Sequence, residues 1–262
     1  MIGLTIQTIA GRIASFALAP LYILFLRMMG YQIRDLRRIR KQWKDLTCEH
    51  AGPWLICANH LTMIDSLLIT YGLLSLTDHF RHYERVPWNL PEQDNFYQHL
   101  SLRVICYLTK CIPVHRGGDR DKMKNALASC RELLAAKQDL MIFPEGGRSR
   151  TGRIDKENYT YGVGRFIADC PDCRVLCVYL RGDRQENYST FPLRGDRFTL
   201  EMHALTQEPT ALSGLKAQRH HAGRIIEDLS QMEEAYFALH RERHCRSGSA
   251  GQPGKNPGPA LS

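Results

Sequence analysis

The chain has no G-x-S-x-G elbow to present a nucleophilic serine and no HExxH pair to hold a zinc ion. Neither an α/β-type serine hydrolase nor a zinc peptidase is therefore indicated. Its nine cysteines are odd in number and follow no regular framework, which suits reduced thiols in a cytosolic compartment. Cys170, Cys173 and Cys177 cluster, but no second CxxC or HxxxH pair completes a zinc site, so buried free thiols and no bound metal are expected. There is no internal repeat. Hydrophobic residues make up 44% and charged residues 24% of the chain, with a mean hydropathy of −0.33; such a chain folds and is not a polytopic membrane protein. At 262 residues it holds one large α/β domain or two small ones.

A charge excess is missing from the middle of the chain. The net charge of +8 comes from residues 1–50, with eight Lys/Arg against three Asp/Glu, and from 241–262, with four against one; the remaining 190 residues carry 23 of each. A nucleic-acid-binding core would show a basic face of its own, so no nucleic acid partner is expected and the N-terminal excess points to anionic lipid.

Long hydrophobic runs are also scarce. Residues 13–26 are apolar and uncharged, but fourteen residues span only about 21 Å against a hydrocarbon core of about 30 Å, and Pro20 would kink the helix. No small-x-small cleavage site follows, so a re-entrant or interfacial anchor fits better than a signal peptide. Next, Ile33, Leu36, Ile39, Trp43 and Leu46 recur at helical spacing, with Arg34, Arg37, Arg38, Arg40, Lys41 and Lys44 between them. This basic amphipathic helix lies either in the headgroup region on the cytoplasmic side or against the protein core with a solvated basic face.

Beyond Pro53 the pattern alternates. Buried strands are expected at 54–58, 140–143, 175–180 and 198–204, with a short one at Ile112 to Val114. Helices are expected at 62–74, 96–110 and 161–168, with Asp119 or Asp121 capping another whose apolar face is Met123, Ala126, Leu127, Cys130, Leu133 and Leu134. A last helix carries Ile225, Leu229, Met232, Tyr236 and Leu239. Residues 85–98, rich in turn formers, are an acceptor-binding loop or a plain connection. The fold class is α/β, a mixed and largely parallel sheet covered by helices. The division is an N-terminal membrane-associating helical segment at 1–46, a domain at 47–240 and a disordered basic tail at 241–262.

Two strand ends carry the chemistry. After 54–58 come Asn59, His60 and, five residues on, Asp65. Histidine is the side chain most readily used as a base near neutral pH, and a carboxylate fixes its tautomer. On one regular helix, positions five apart point roughly 140° away from each other, so His60 must sit in the turn ahead of the helix to meet Asp65. The competing reading is a capping box of Thr62 and Asp65. After 140–143 come Pro144, Glu145, Gly146, Gly147, Arg148 and Ser149. Glycines let a phosphate or carbonyl approach the backbone, and Arg148 can grip an oxyanion in bidentate fashion.

Together, Asn59-His60-x4-Asp65 and, about 80 residues later, Phe143-Pro144-Glu145-Gly146-x-Arg148-Ser149 resemble the glycerolipid acyltransferases, typified by the lysophosphatidic acid acyltransferases. Ile112-Pro113-Val114-x-Arg116 falls where that family has its third block, and the resemblance covers roughly residues 45–205. It implies His60 as base and Asp65 as its partner, with Arg116, Glu145, Gly146 and Arg148 at the acceptor head group and Asn59, Gly147 and Ser149 beside them. The implied donor is acyl-CoA or acyl-carrier protein, used as co-substrate with no bound cofactor. The implied acceptor is a lyso-lipid such as 1-acylglycerol 3-phosphate, met at the membrane on its cytoplasmic face. The sequence departs from the family at Gly147, where Thr is usual, at Thr62, where Ser is common, and at Cys177, where a proline precedes the valine. Residues 85–110 also lack the lysine and glycine pattern expected before the arginine block, so a different lyso-lipid, an aminolipid precursor or a glycolipid stays compatible as acceptor. The competing classes are a non-catalytic lipid-binding protein of the same fold and a thioesterase or lipid hydrolase.

Overall fold

The computed structural model describes residues 2–115, 120–206 and 210–249. Helix α1 (Ile2–Met28) is followed by β1 (Gln32–Ile33), α2 (Leu36–Glu49), β2 (Trp54–Ala58), α3 (Asp65–Leu73) and α4 (Leu76–Arg81). Then come β3 (Trp88–Asn89), α5 (Gln93–Phe96), α6 (Leu100–Leu108), α7 (Arg120–Ala135), β4 (Leu140–Ile142), α8 (Gly162–Asp169), β5 (Arg174–Gly182), β6 (Arg197–Leu205) and α9 (Gly214–Ser249). The strands form one sheet in the order β1-β6-β5-β2-β4-β3, parallel throughout except for β5 against β6. The fold is mixed α/β with a mostly parallel sheet, as the alternation of strands and helices predicts.

β2 is the centre of this sheet, and every one of its residues is buried. A strand covered on both faces reads as an unbroken apolar run. Side chains alternate between faces, so Trp54, Ile56 and Ala58 join one core with Ile39, Trp43, Leu68 and Ile69, while Leu55 and Cys57 join another with Cys130, Phe166, Ile225 and Leu229. Leu55 pairs with Leu140 and Cys57 with Ile142 in parallel. The chain therefore leaves β2 and β4 at the same sheet end, side by side, where α/β folds collect ligand-binding groups.

α2 answers the choice left open above. Its apolar side is covered by the sheet, with Ile39 and Trp43 buried and Trp43 edge-on to Trp54 at 5.8 Å between centroids. Two of its cations bind protein: Arg40 donates to the Tyr71 and Leu74 carbonyls at the end of α3, and Arg38 to Glu201, while Arg37, Lys41 and Lys44 are exposed. A cation at the end of α3 is worth about 0.3–1 kcal/mol against the helix dipole. The headgroup reading of this helix is thus replaced by packing on the core; helical spacing shows that a face is apolar, not what covers it.

α1 is longer than the uncharged run, because Arg12 and Pro20 both lie within a continuous helix. By length and composition it is able to cross a membrane. Its orientation is inverted relative to a soluble amphipathic helix. Gln7, Gly11, Ser15, Ala19, Ile23 and Leu26 face the protein, while Ile6, Ile9, Ile13, Phe16, Leu21 and Leu24 are exposed. The inward contacts are polar and close: Gln7 donates to the Tyr107 and Cys111 carbonyls, and a Cβ on Gly11 would come within 2.8 Å of the Leu108 carbonyl oxygen.

Other expectations shift for local reasons. The helix expected over 96–110 is the shorter α6, Leu100–Leu108, with the short α5 ending at Phe96 ahead of it. Ile112 to Val114 is no strand: Val114 makes one isolated bridge and Cys111, just before the segment, another, since Pro113 has no N–H to give a ladder. Trp88–Asn89 is a short edge strand inside the stretch read as turns. α9 continues to Ser249, past the start of the expected tail, and residues 250–262 lie outside the described residues.

Candidate active site

The turn after β2 is built by three side chains in succession. The Asn59 amide donates to the Leu180 carbonyl (3.0 Å) and accepts from the Leu180 N–H (2.8 Å). That pair of hydrogen bonds ties β2 to β5 where their ladder ends, the amide supplying the donor from its nitrogen and the acceptor from its oxygen. His60 Nδ1 lies 3.0 Å from Asp65 Oδ2. The same carboxylate oxygen accepts the N–H groups of Leu61 (2.6 Å) and Thr62 (2.8 Å), and its other oxygen accepts the Thr62 hydroxyl.

This geometry replaces the capping box. α3 begins at Asp65, three residues later than predicted, and the Thr62 hydroxyl donates to the carboxylate instead of accepting a helix amide. Asp65 reaches back out of the helix and folds the turn around itself. His60 therefore sits ahead of the helix, as the five-residue spacing requires. Its ring stacks on Phe143 at 4.1 Å and 20°, and its side chain keeps 19% exposure against 4% for Asp65. With Nδ1–H given to the carboxylate, the Nε2 lone pair is left to take a proton. No described residue bonds Nε2.

The turn after β4 locks onto this one. Glu145 Oε1 accepts the His60 N–H (3.0 Å), and the Ser149 N–H donates to the His60 carbonyl (2.8 Å). Gly146 has φ +76°, and a Cβ there would come within 2.5 Å of Thr160 Cγ2, so two independent constraints require glycine. A Cβ on Gly147 would meet nothing. Arg148 donates to the Ser189 carbonyl (3.1 Å) and lies over the Tyr188 ring. The Ser149 hydroxyl donates to the Arg153 carbonyl. The structure thus gathers Asn59, His60, Asp65, Glu145, Gly146, Arg148 and Ser149 around one sheet end. Arg116 lies outside the described residues.

Burial pushes the Glu145 carboxyl up to about 7; the His60 N–H opposes this, while Glu233, Asp65 and Asp155 add repulsion. A carboxyl half protonated near neutrality repels a phosphate less than a full carboxylate does. The shift also has a consequence for stability. Between its ordinary 4.5 and about 7, the folded chain holds a proton that the unfolded chain has released, so stability falls as pH rises through that window. Glu145→Gln is expected to remove this slope and leave that of Asp139, which burial raises to about 6. Thermal melts at about pH 5 and about pH 8 measure it: the difference between the two should shrink in the variant, and an unchanged difference would assign the slope elsewhere.

Two parts of the site carry little local sequence signal. The segment at Tyr188 to Thr190 forms a third wall, its Ser189 N–H bonded to the Leu61 carbonyl and its Thr190 carbonyl to the Met63 N–H. Behind it, the buried Arg181 donates to the Gly152 and Glu186 carbonyls, and Glu233 of α9 accepts Arg153 (2.8 Å), fixing the far end of the glycine turn. A buried arginine in a strand and a glutamate on the inner face of a helix were the available hints. The clustered thiols lie elsewhere, and burial pushes Cys170, Cys173 and Cys177 up. Among the described residues no group of three or more His, Cys, Asp or Glu converges on a metal-sized space.

An α/β sheet whose parallel strands end in a His–Asp pair, faced by a glycine–arginine turn, defines a class suited to proton transfer without a covalent nucleophile. A model of the acyltransferase family matches residues 32–181, from the first residue of β1 into β5 and across both turns. The chain belongs to the acyltransferase family. No curated protein is significantly similar to it.

Proposed function

We propose that the protein is a membrane-associated O-acyltransferase that moves a fatty acyl chain from acyl-CoA or acyl-carrier protein to the hydroxyl of a lyso-lipid, with 1-acylglycerol 3-phosphate as acceptor and phosphatidic acid as product. The observation that carries the reading is His60, oriented through Nδ1 by a buried carboxylate and unbonded at Nε2, beside the turn that holds Glu145 and Arg148. Nε2 takes the proton of the acceptor hydroxyl as its oxygen attacks the thioester carbonyl. The tetrahedral intermediate expels the thiolate, which takes the proton from the imidazolium. Asp65 stabilises that imidazolium. Arg148, whose guanidinium keeps donors beyond the one given to Ser189, and Arg116 bind the acceptor phosphate. A half-protonated Glu145 accepts or donates to a glycerol hydroxyl.

The membrane part of the reading is supported by α1. Its inward residues run from Gln7 to Leu26, about 28 Å of helix at 1.5 Å per residue, so one flank is docked on the domain along most of its length. A helix held this way rests its outer face in a bilayer surface instead of leaving the domain to cross it. α6 lies against α1 and exposes Leu100, Val104, Ile105 and Tyr107. The acceptor and the product's added chain both reside at such a surface, here the cytoplasmic face of the cell membrane.

The test is to incubate the purified full chain with labelled acyl-CoA and acyl-carrier protein and a panel of lyso-phospholipids, aminolipid precursors and glycolipids, and to identify products by mass. Acylated 1-acylglycerol 3-phosphate is expected. A product from another acceptor alone would move the assignment to that lipid. Free fatty acid release without any acylated product would establish a hydrolase.

A further inference from the structure

The turn after β4 does not end at the candidate active site. From Gly152 it runs along α9, where Arg153 meets Glu233, Lys156 meets Glu227 and the Tyr159 hydroxyl comes within 3.0 Å of where a Gly223 Cβ would stand. It then returns to the site, with Thr160 bonded to the Pro144 carbonyl and packed on Gly146. Where it leaves α9 there is an open groove of about 570 Å³ lined by Tyr159, Lys216, Arg219, Gly223, Arg224 and Glu227 among others. The lining brings an aromatic ring and a glycine together with three cations, Lys216, Arg219 and Arg224. Glu227, the carboxylate in this wall, already binds Lys156 and accepts from Gln231, and these contacts hold it below its ordinary range. Arg219 lies over the Tyr161 ring, and Lys216 is exposed.

The geometry points to this groove as the seat of the donor's nucleotide: the adenosine 3′,5′-bisphosphate end of acyl-CoA binds between Tyr159 and the cations of α9, with its thioester delivered to His60. The inference rests on the acyl-transfer reading above. An adenine ring stacks on an aromatic ring, and guanidinium and ammonium groups suit several phosphates in one small space. The reach is right. Tyr159 is followed directly by Thr160, which bonds the Pro144 carbonyl and packs on Gly146, next to the Glu145 that accepts the His60 N–H. The pantetheine arm has a dozen or so bonds, equivalent to roughly four residues of extended chain and about 14 Å.

Charge reversal at Lys216 and Arg219 tests this in the full chain, with Arg219→Lys as the conservative control and melting temperature as the check on folding. The pair Lys216→Glu and Arg219→Glu is expected to raise KM for acyl-CoA about ten- to a hundredfold, the scale of lost charged hydrogen bonds, with kcat held. Transfer from an acyl-N-acetylcysteamine thioester, which has no nucleotide, should not change. Titration with adenosine 3′,5′-bisphosphate judges the groove separately, and its binding should weaken in the same variants and recover in Arg219→Lys. Absence of bisphosphate binding by the wild-type chain, an unchanged KM for acyl-CoA, or equal losses with both donors would overturn the inference. A chain that binds the bisphosphate at the groove but transfers acyl groups from no donor would uphold the groove and sink the acyl-transfer reading.

Discussion

Replacing His60 by alanine is expected to lower acyl transfer by about 10²–10⁴-fold, the usual contribution of a positioned general base, while the chain stays folded. The loss is large because His60 is the imidazole held against the Glu145–Arg148 turn with its Nε2 unbonded, and the turn itself survives. Asn59, Leu61 and Thr62 are anchored to Leu180 and Asp65 by bonds that do not involve the imidazole. His60 contributes its N–H to Glu145 and its carbonyl to Ser149 through the backbone, and alanine keeps both. What is lost is the ring on Phe143 and the bond to Asp65. Steady-state transfer, read with melting temperature and flotation with vesicles, separates these effects. Transfer retained near wild-type rate in the variant would refute His60 as the base.

Asp65→Asn is expected to lower both rate and stability. The carboxylate accepts from Leu61 N–H, Thr62 N–H, the Thr62 hydroxyl and His60 Nδ1 while buried. An asparagine oxygen can keep the amide donors, and the Thr62 hydroxyl can turn to accept from the new NH₂, so the fold persists at a cost of about 1–3 kcal/mol. The charge that stabilises the imidazolium is gone, and the rate should fall by about 10²–10⁴-fold, as when a triad carboxylate is made an amide. Thermal denaturation and kcat are measured on the same preparation. A lower melting temperature with undiminished kcat would leave Asp65 a purely structural group, and His60 would then act without it.

Much of the core was legible because it rests on short-range patterning. The apolar run at 54–58 gave β2 to the residue, since a strand covered on both faces needs no alternation. The spacing of Met123, Ala126, Cys130 and Leu133 gave α7, and Ile225 to Tyr236 gave the buried side of α9. The boundaries that moved did so where a side chain competes with the backbone. Asp65 captures the amides of Leu61 and Thr62 and delays α3, and Pro113 withholds the N–H that a strand would use.

The sequence by itself determined that His60 can meet Asp65 only from outside the helix, because a five-residue separation on a 3.6-residue period permits nothing else. It also determined the α/β class and the apolar character of α1. Tertiary structure decided which faces are covered. Spacing shows an apolar face without naming its cover, so the apolar side of α2 went to the sheet while α1 turned inward a side that is small or polar from Gln7 to Ala19 and apolar at Ile23 and Leu26. Tertiary structure also joined Glu145 to His60 across 85 positions, Arg148 to Ser189 and Glu233 to Arg153. Those contacts depend on β2 and β4 leaving the sheet side by side and on α9 packing back across it, which no local pattern encodes.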